Sequence, residues 1–256
     1  MNPWFRIHQR DPEAPMRLYC LPYAGGSASL YRGWGAGLTG VAEVVAVQLP
    51  GRENRIGEPS VAAMPVLVDR LTRAMLAEPA RPYALFGYSM GARVAHHAAH
   101  VLSAAGRPPE RLFVAASPGP AAPPGPAAHH LSEPDLVAHL RRLGGTPDEV
   151  LDSAELRRLV LPAVRADLAV VETAAQPAGP PLSCPVHAFA GRTDPEASPD
   201  RMAAWGVETC GDFVLDTFDA GHFFIHADPA GLLARVRANL VPVAARPVAA
   251  PAAVAA

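Results

Sequence analysis

The chain has 256 residues, half of them hydrophobic, with a formal net charge of −2. That is the length of one large α/β domain with a sizeable core, and the charge balance lacks the basic footprint of a nucleic-acid binder. All the basic side chains are Arg, since no Lys occurs anywhere, which excludes a Schiff-base Lys, a pyridoxal-phosphate Lys and a P-loop Lys. Three cysteines, Cys20, Cys184 and Cys210, have no paired spacing and suit free thiols in a reducing cytoplasm. No apolar run of signal-peptide length opens the chain, and the uncharged stretch 112–132 is too rich in Pro and Gly to span a membrane. A soluble cytoplasmic protein is expected.

In chain order, Arg17 to Leu21 reads as a buried strand running into the Gly-rich loop Pro22-Tyr23-Ala24-Gly25-Gly26-Ser27-Ala28. A helix is expected over 29–38. The run Gly35-Ala36-Gly37-Leu38-Thr39-Gly40 matches a dinucleotide fingerprint by letter, but it closes a helix and precedes a strand, the reverse of what that fingerprint requires. Val41 to Leu49 is the next strand, followed by the polar loop 50–55. Ser60 is the expected N-cap of a helix reaching Leu76, with Pro65 delaying its start.

Tyr83 to Phe86 is a short apolar strand, Gly87-Tyr88-Ser89-Met90-Gly91 a tight turn, and 92–105 an Ala-rich helix. Strand, Gly-x-Ser-x-Gly turn and helix together describe a nucleophile elbow, with the Ser89 hydroxyl presented over a helix N-terminus. A further strand is expected over 112–116. Alternating strands and helices up to this point argue for a mostly parallel sheet covered on both faces.

The alternation then breaks. Residues 117–181 carry three helical stretches between Pro-rich joints: from the Ser132 start signal to about Leu143, from a Thr146 cap onward, and from Leu156 to about Thr173 with an offset at Pro162. The division expected is a core of residues 1–116 and 182–242, a helical lid insertion over 117–181, and a disordered tail over 243–256 without function. Sheet-like sequence resumes at Pro185 to Ala190, then comes a helix over 199–205, a strand over 212–218 and a last helix over 229–240.

Ser89, Asp194 and His222 each fall in a turn just after an expected strand. In a parallel sheet those turns share one edge, where such sheets bind ligands. Ser, Asp, His is also the chain order of an α/β-hydrolase triad. His222 would be the base, Asp194 its orienter, and backbone N–H groups of Met90 and Ala24 the oxyanion donors. Asp194 is preferred over Asp200, Asp216 and Asp219, and His222 over His226. His96 and His100 stand four apart on one helix; with His at 97 rather than Glu and no third ligand evident, they read as a solvated or packed helix face, and no metal is expected. His129-His130 reads as solvated loop, and neither Cys184 nor Cys210 as a nucleophile.

With these residues in place the chain resembles the type II thioesterases, the stand-alone editing hydrolases of polyketide and non-ribosomal peptide assembly lines. The matching motifs are Leu21-Pro22-Tyr23-Ala24-Gly25-Gly26, Leu49-Pro50-Gly51-Arg52, Gly87-Tyr88-Ser89-Met90-Gly91, Leu143-Gly144-Gly145-Thr146-Pro147, Gly191-Arg192-Thr193-Asp194 and Ala220-Gly221-His222-Phe223-Phe224. The resemblance implies an α/β-hydrolase fold with a mobile lid. It also implies that acyl groups are hydrolysed from the phosphopantetheine thioester of an acyl or peptidyl carrier protein. No cofactor of the enzyme's own, no nucleic acid and no membrane is implied, and a monomer is expected. Tyr88, Met90, Phe223 and the lid are candidates to line an apolar acyl pocket. The competing readings are a carboxylesterase or lipase, an acyltransferase, and a non-catalytic hydrolase-fold binding module.

Overall fold

The computed structural model describes residues 2–122 and 127–244. Strand β1 (Phe5–Arg6) leads to β2 (Met16–Leu21), helix α1 (Trp34–Leu38), β3 (Ala42–Val47), α2 (Met64–Leu76), β4 (Tyr83–Tyr88), α3 (Met90–Ala104) and β5 (Arg111–Ala115). Helices α4 (Glu133–Leu143), α5 (Asp148–Asp152) and α6 (Ala154–Glu172) follow without an intervening strand. The chain then runs β6 (Val186–Gly191), α7 (Pro199–Ala203), β7 (Phe213–Phe218), α8 (Phe224–Ala227) and α9 (Pro229–Ala244).

The strands form one sheet in the order β1-β3-β2-β4-β5-β6-β7, in which only β1 runs antiparallel to its neighbour. Strand alternation divides the core into two layers. Tyr19, Leu21, Leu85, Leu112, Val114 and Ala188 face α2 and α3, while Leu18, Cys20, Phe86, Phe113 and Phe189 face α1 and α9. Both faces are covered, so the central strands read as nearly unbroken apolar runs. This is the α/β-hydrolase architecture expected from the sequence.

Several local expectations need correction. The helix expected over 29–38 is interrupted at Gly33 into a 3₁₀ turn, Ala28–Tyr31, and the short α1. Ser60 does not cap α2; Ala63 holds that position and Pro65 sits in the first turn, where its missing N–H costs nothing. Thr146 likewise does not cap α5, which begins after Pro147. Helix α7 tightens into a 3₁₀ turn, Ala204–Glu208. Ser132 does cap α4, accepting from the Asp135 N–H at 3.3 Å, and Gly144 ends that helix in the left-handed region. The tail expected to be disordered lies, beyond Ala244, outside the described residues.

Helices α4 to α6 share a small apolar cluster of their own, Leu136, Leu140, Leu151, Leu161 and Val164. Val170 near the end of α6 enters the layer beneath α3. The three helices are thus anchored at one end and self-packed at the other. Among the described residues no helix is long and apolar enough to cross a membrane.

Candidate active site

The turn after β4 is sharp because nothing else would fit. A Cβ on Gly87 would strike the backbone of Gly91, and one on Gly91 would strike the carbonyl of Leu21. Between them Ser89 is held at φ +52°, ψ −116°, a conformation that non-glycine residues avoid. Its N–H donates to the Ala115 carbonyl at 2.7 Å, which ties the strained residue to β5. The side chain is left half-buried at the N-terminus of α3, where N–H groups converge.

The turns after β6 and β7 bring the other two residues to the same edge. His222 Nε2 lies 3.2 Å from Ser89 Oγ, and His222 Nδ1 lies 2.8 Å from Asp194 Oδ2. Asp194 is buried. Its other oxygen accepts the N–H groups of Glu196 and Ala197 at 2.8 and 3.0 Å. Burial pushes the Asp194 carboxyl pKa up, but the His222 hydrogen bond and charge, with those two N–H groups, outweigh it and hold the pKa below its ordinary value. The carboxylate therefore stays ionised against the imidazole.

Of the competing residues, Asp200 sits exposed in the first turn of α7 and the others are engaged elsewhere. Asp219 pairs with Arg192 at the surface, at 2.7 Å, and Asp216 with His187 at 2.9 Å. His226 Nε2 meets the Tyr23 hydroxyl at 3.1 Å, with its pKa lowered by burial. His129, read as solvated loop, instead meets the Glu172 carboxylate of α6 with both its backbone N–H and its ring Nδ1.

Two residues expected to line an acyl pocket are placed differently from each other. Tyr88 is fully buried; its hydroxyl donates to the His222 carbonyl at 2.5 Å and accepts from the Ile225 N–H at 3.3 Å. It holds the histidine loop from below and lines no open surface, because side chains alternate along β4 and this one points into the core. Phe223 is half-buried, edge-on to Tyr23 at 4.9 Å and to His222 at 4.9 Å. Gly145, just after α4, lies flat against its ring, where a Cβ could not fit.

Ala24, half-buried in the loop after β2, has a neighbour whose importance the sequence did not signal. The Gly25 N–H donates to Asp167 Oδ2 of α6 at 2.8 Å. Asp167 is also clamped by Arg52 through both carboxylate oxygens, at 2.5 and 2.8 Å, and Arg52 donates to the Gly26 carbonyl at 3.0 Å. Arg52 belongs to a motif noted in the sequence; Asp167 sits mid-helix with nothing local to mark it. Both are buried.

The thioesterase domain family profile matches residues 16–240. The chain belongs to this family. The thioesterase PikA5 of Streptomyces venezuelae is 37% identical over 227 residues, covering 87% of this chain and 80% of the relative. The linear gramicidin dehydrogenase LgrE of Brevibacillus parabrevis is 35% identical over 242 residues, covering 93% and 92%. Of solved structures, the type II thioesterase BorB from the borrelidin biosynthetic cluster superposes with a TM-score of 0.85 at 40% identity, covering 93% of this chain and 97% of BorB. The name of LgrE notwithstanding, Gly35 to Gly40 of this thioesterase close α1 and lead into β3, which is not the strand-to-helix turn that cradles a dinucleotide.

Proposed function

We propose that this thioesterase is a stand-alone editing enzyme that frees carrier proteins of polyketide or non-ribosomal peptide synthesis from unwanted acyl groups. The observation that carries the reading is the continuous relay from Asp194 through His222 to Ser89, set on a strained elbow in a member of the thioesterase family. Ser89 Oγ attacks the thioester carbonyl as His222 Nε2 takes its proton. The N–H groups of Met90 and Ala24 receive the negative charge that forms on the carbonyl oxygen. The C–S bond breaks, and His222 returns the proton to the departing phosphopantetheine thiolate. A water molecule, deprotonated by His222, then attacks the acyl-Ser89 ester and releases the free acid.

In this reading helices α4 to α6 act as a lid over the sheet edge. Their independent apolar cluster, and the contacts of Gly145 with Phe223 and of Asp167 with Gly25, support that role. Phe223 and the lid side chains form the apolar wall against which a short acyl group rests. The enzyme works as a monomer in the cytoplasm, meeting acyl or peptidyl carrier proteins there.

The test is a panel of carrier proteins loaded with different acyl groups, with free acid and bare carrier measured by mass. Release of both supports the proposal. Turnover of a simple aryl ester without turnover of carrier thioesters would make it a carboxylesterase, and acyl transfer to an added alcohol or amine in preference to water would make it an acyltransferase.

A further inference from the structure

On the flank of α3 away from the elbow, three side chains converge that the hydrolytic relay does not use. His96 and His100 stand one turn apart on α3, and their Nε2 atoms are 3.1 Å from each other. Glu208, at the end of the 3₁₀ turn after α7, places Oε2 3.2 Å from the same His96 nitrogen. The donor atoms of all three lie within 4.8 Å of one another. The helix spacing was visible in the sequence; the third donor comes from a segment more than a hundred residues away, brought in beside β6.

As a set of hydrogen bonds this arrangement is incomplete. His96 Nε2 faces both a second imidazole nitrogen and a carboxylate oxygen, and a neutral ring has one proton at most to offer there. His96 is fully buried, and its Nδ1 has no hydrogen-bond partner among the described residues. As a set of ligands it is coherent. Two imidazole nitrogens and a carboxylate oxygen suit a borderline divalent ion, and in a tetrahedral zinc site ligand atoms stand about 3.3 Å apart. Two of the three separations, 3.1 and 3.2 Å, come close to that value; His100 and Glu208 stand farther apart, within 4.8 Å, and a small turn of either half-buried side chain closes that edge. His100 and Glu208 are only half-buried, which leaves the ion an entry path and room for water at the fourth position.

We propose that His96, His100 and Glu208 form a structural binding site for a zinc-class divalent cation. The ion would staple α3 to the segment between α7 and β7. His96 lies seven residues beyond Ser89, about 10 Å along the helix axis, so the ion would touch neither substrate nor the reacting atoms. Two features set a moderate affinity. His96 Nδ1 has no acceptor to strengthen the ligand from behind, and the Arg93 guanidinium, one turn earlier, contributes a positive charge that Glu208 also feels.

The experiment uses the full chain, stripped with EDTA and desalted. Cobalt(II) is titrated as a spectroscopic probe and zinc by calorimetry, with the melting temperature followed with and without zinc. One equivalent of zinc is expected, with a visible cobalt spectrum of tetrahedral type and a rise in Tm of about 5 °C at a hundredfold excess over Kd. His100→Gln and Glu208→Gln, both at half-exposed positions, are each expected to weaken binding at least tenfold and so to cut the Tm rise by about half or more at the same zinc concentration. Stripped wild-type protein should hydrolyse thioesters as fast as the loaded form, so the result is independent of the hydrolytic reading. Absence of stoichiometric binding to wild type, or binding that both variants retain, would overturn the proposal.

Discussion

Asp167, in the middle of α6, accepts the backbone N–H of Gly25 at 2.8 Å, in the loop expected to supply an oxyanion donor from the adjacent Ala24. The same carboxylate is held by Arg52 through both of its oxygens. A helix of the 117–181 segment and the Ala24 loop are therefore fixed relative to each other through one buried side chain. Asp167→Asn keeps the shape but leaves the Arg52 guanidinium buried without its counter-charge. Breaking a buried pair on one side costs about 3–5 kcal/mol, which should appear as a lower midpoint in urea denaturation. Because an oxyanion donor misplaced by an ångström costs about a hundredfold, kcat on an acyl-carrier thioester should fall by one to two orders of magnitude. KM should change little. An unchanged kcat in folded protein would show that Asp167 serves stability alone.

Asp194 contributes through the imidazole and not by taking a proton itself. Asp194→Asn removes the charge that stabilises the imidazolium and favours the wrong tautomer, at a cost on the order of 10⁴ in kcat. Ser89→Ala should lose thioesterase activity by a factor on the order of 10⁴ or more. Combining the two should cost no more than the worse single change, since both act in one unit. Single-turnover acid release, measured by mass, reads all three variants. Additive losses would mean that the relay seen at 2.8 and 3.2 Å is not the path of the proton.

What could be read from the sequence was whatever is fixed by local pattern. Ser89, Asp194 and His222 stand out because each follows a short apolar strand, and parallel strands deliver their following turns to one edge. Asp167 and Glu208 carry no such signature. One sits mid-helix and one in a 3₁₀ turn, and each acquires its meaning from a segment far away in the chain. Strand β1 escaped notice because two residues, Phe5 and Arg6, are too few to show a period. Ser60 and Thr146 failed as caps for a related reason. A cap is decided by where the preceding loop lets the helix begin, and the loop before α2 holds Ser60 against Gly51 instead. Tyr88 was misplaced because an aromatic next to a nucleophile suggests a pocket wall, whereas strand alternation turns its ring into the core.

His97 gives the fold a pH dependence of definite sign. Burial, then the neighbouring His96, Arg93 and His100, lower its pKa from 6.5 to about 4. Between those values the unfolded chain binds a proton that the folded protein does not, so stability is full above about pH 6.5 and falls as pH drops toward 4. The interval corresponds to about 3 kcal/mol if fully expressed, and partial solvent contact trims this to about 1–2 kcal/mol. His100, also lowered by burial and by His96, acts in the same direction. His97→Leu should remove the larger share. Urea denaturation in EDTA should find it more stable than wild type near pH 5 and within about 1 kcal/mol of it near pH 8. Parallel stability curves for the two proteins across this range would show that His97 is not the group responsible.

Gly145 and Phe223 join the end of α4 to the histidine loop, and the contact leaves no room for a methyl group. Gly145→Ala must therefore push the α4 end outward or turn the Phe223 ring against His222, 4.9 Å away. Either movement disturbs the proposed acyl wall more than the fold, because Gly145 is a half-exposed loop residue with little packing to lose. The expected result is a loss of about tenfold in kcat/KM on acyl-carrier thioesters with less than about 1 kcal/mol lost in stability. Phe223→Leu, which shortens the ring that the new methyl meets, should restore most of that loss when combined with Gly145→Ala. A double-mutant cycle on kcat/KM measures this directly, with a coupling of about 1 kcal/mol expected between residues in contact. Simple additivity of the two substitutions would mean that the α4 end and the histidine loop move independently during turnover, and a lid closing on Phe223 would have to be abandoned.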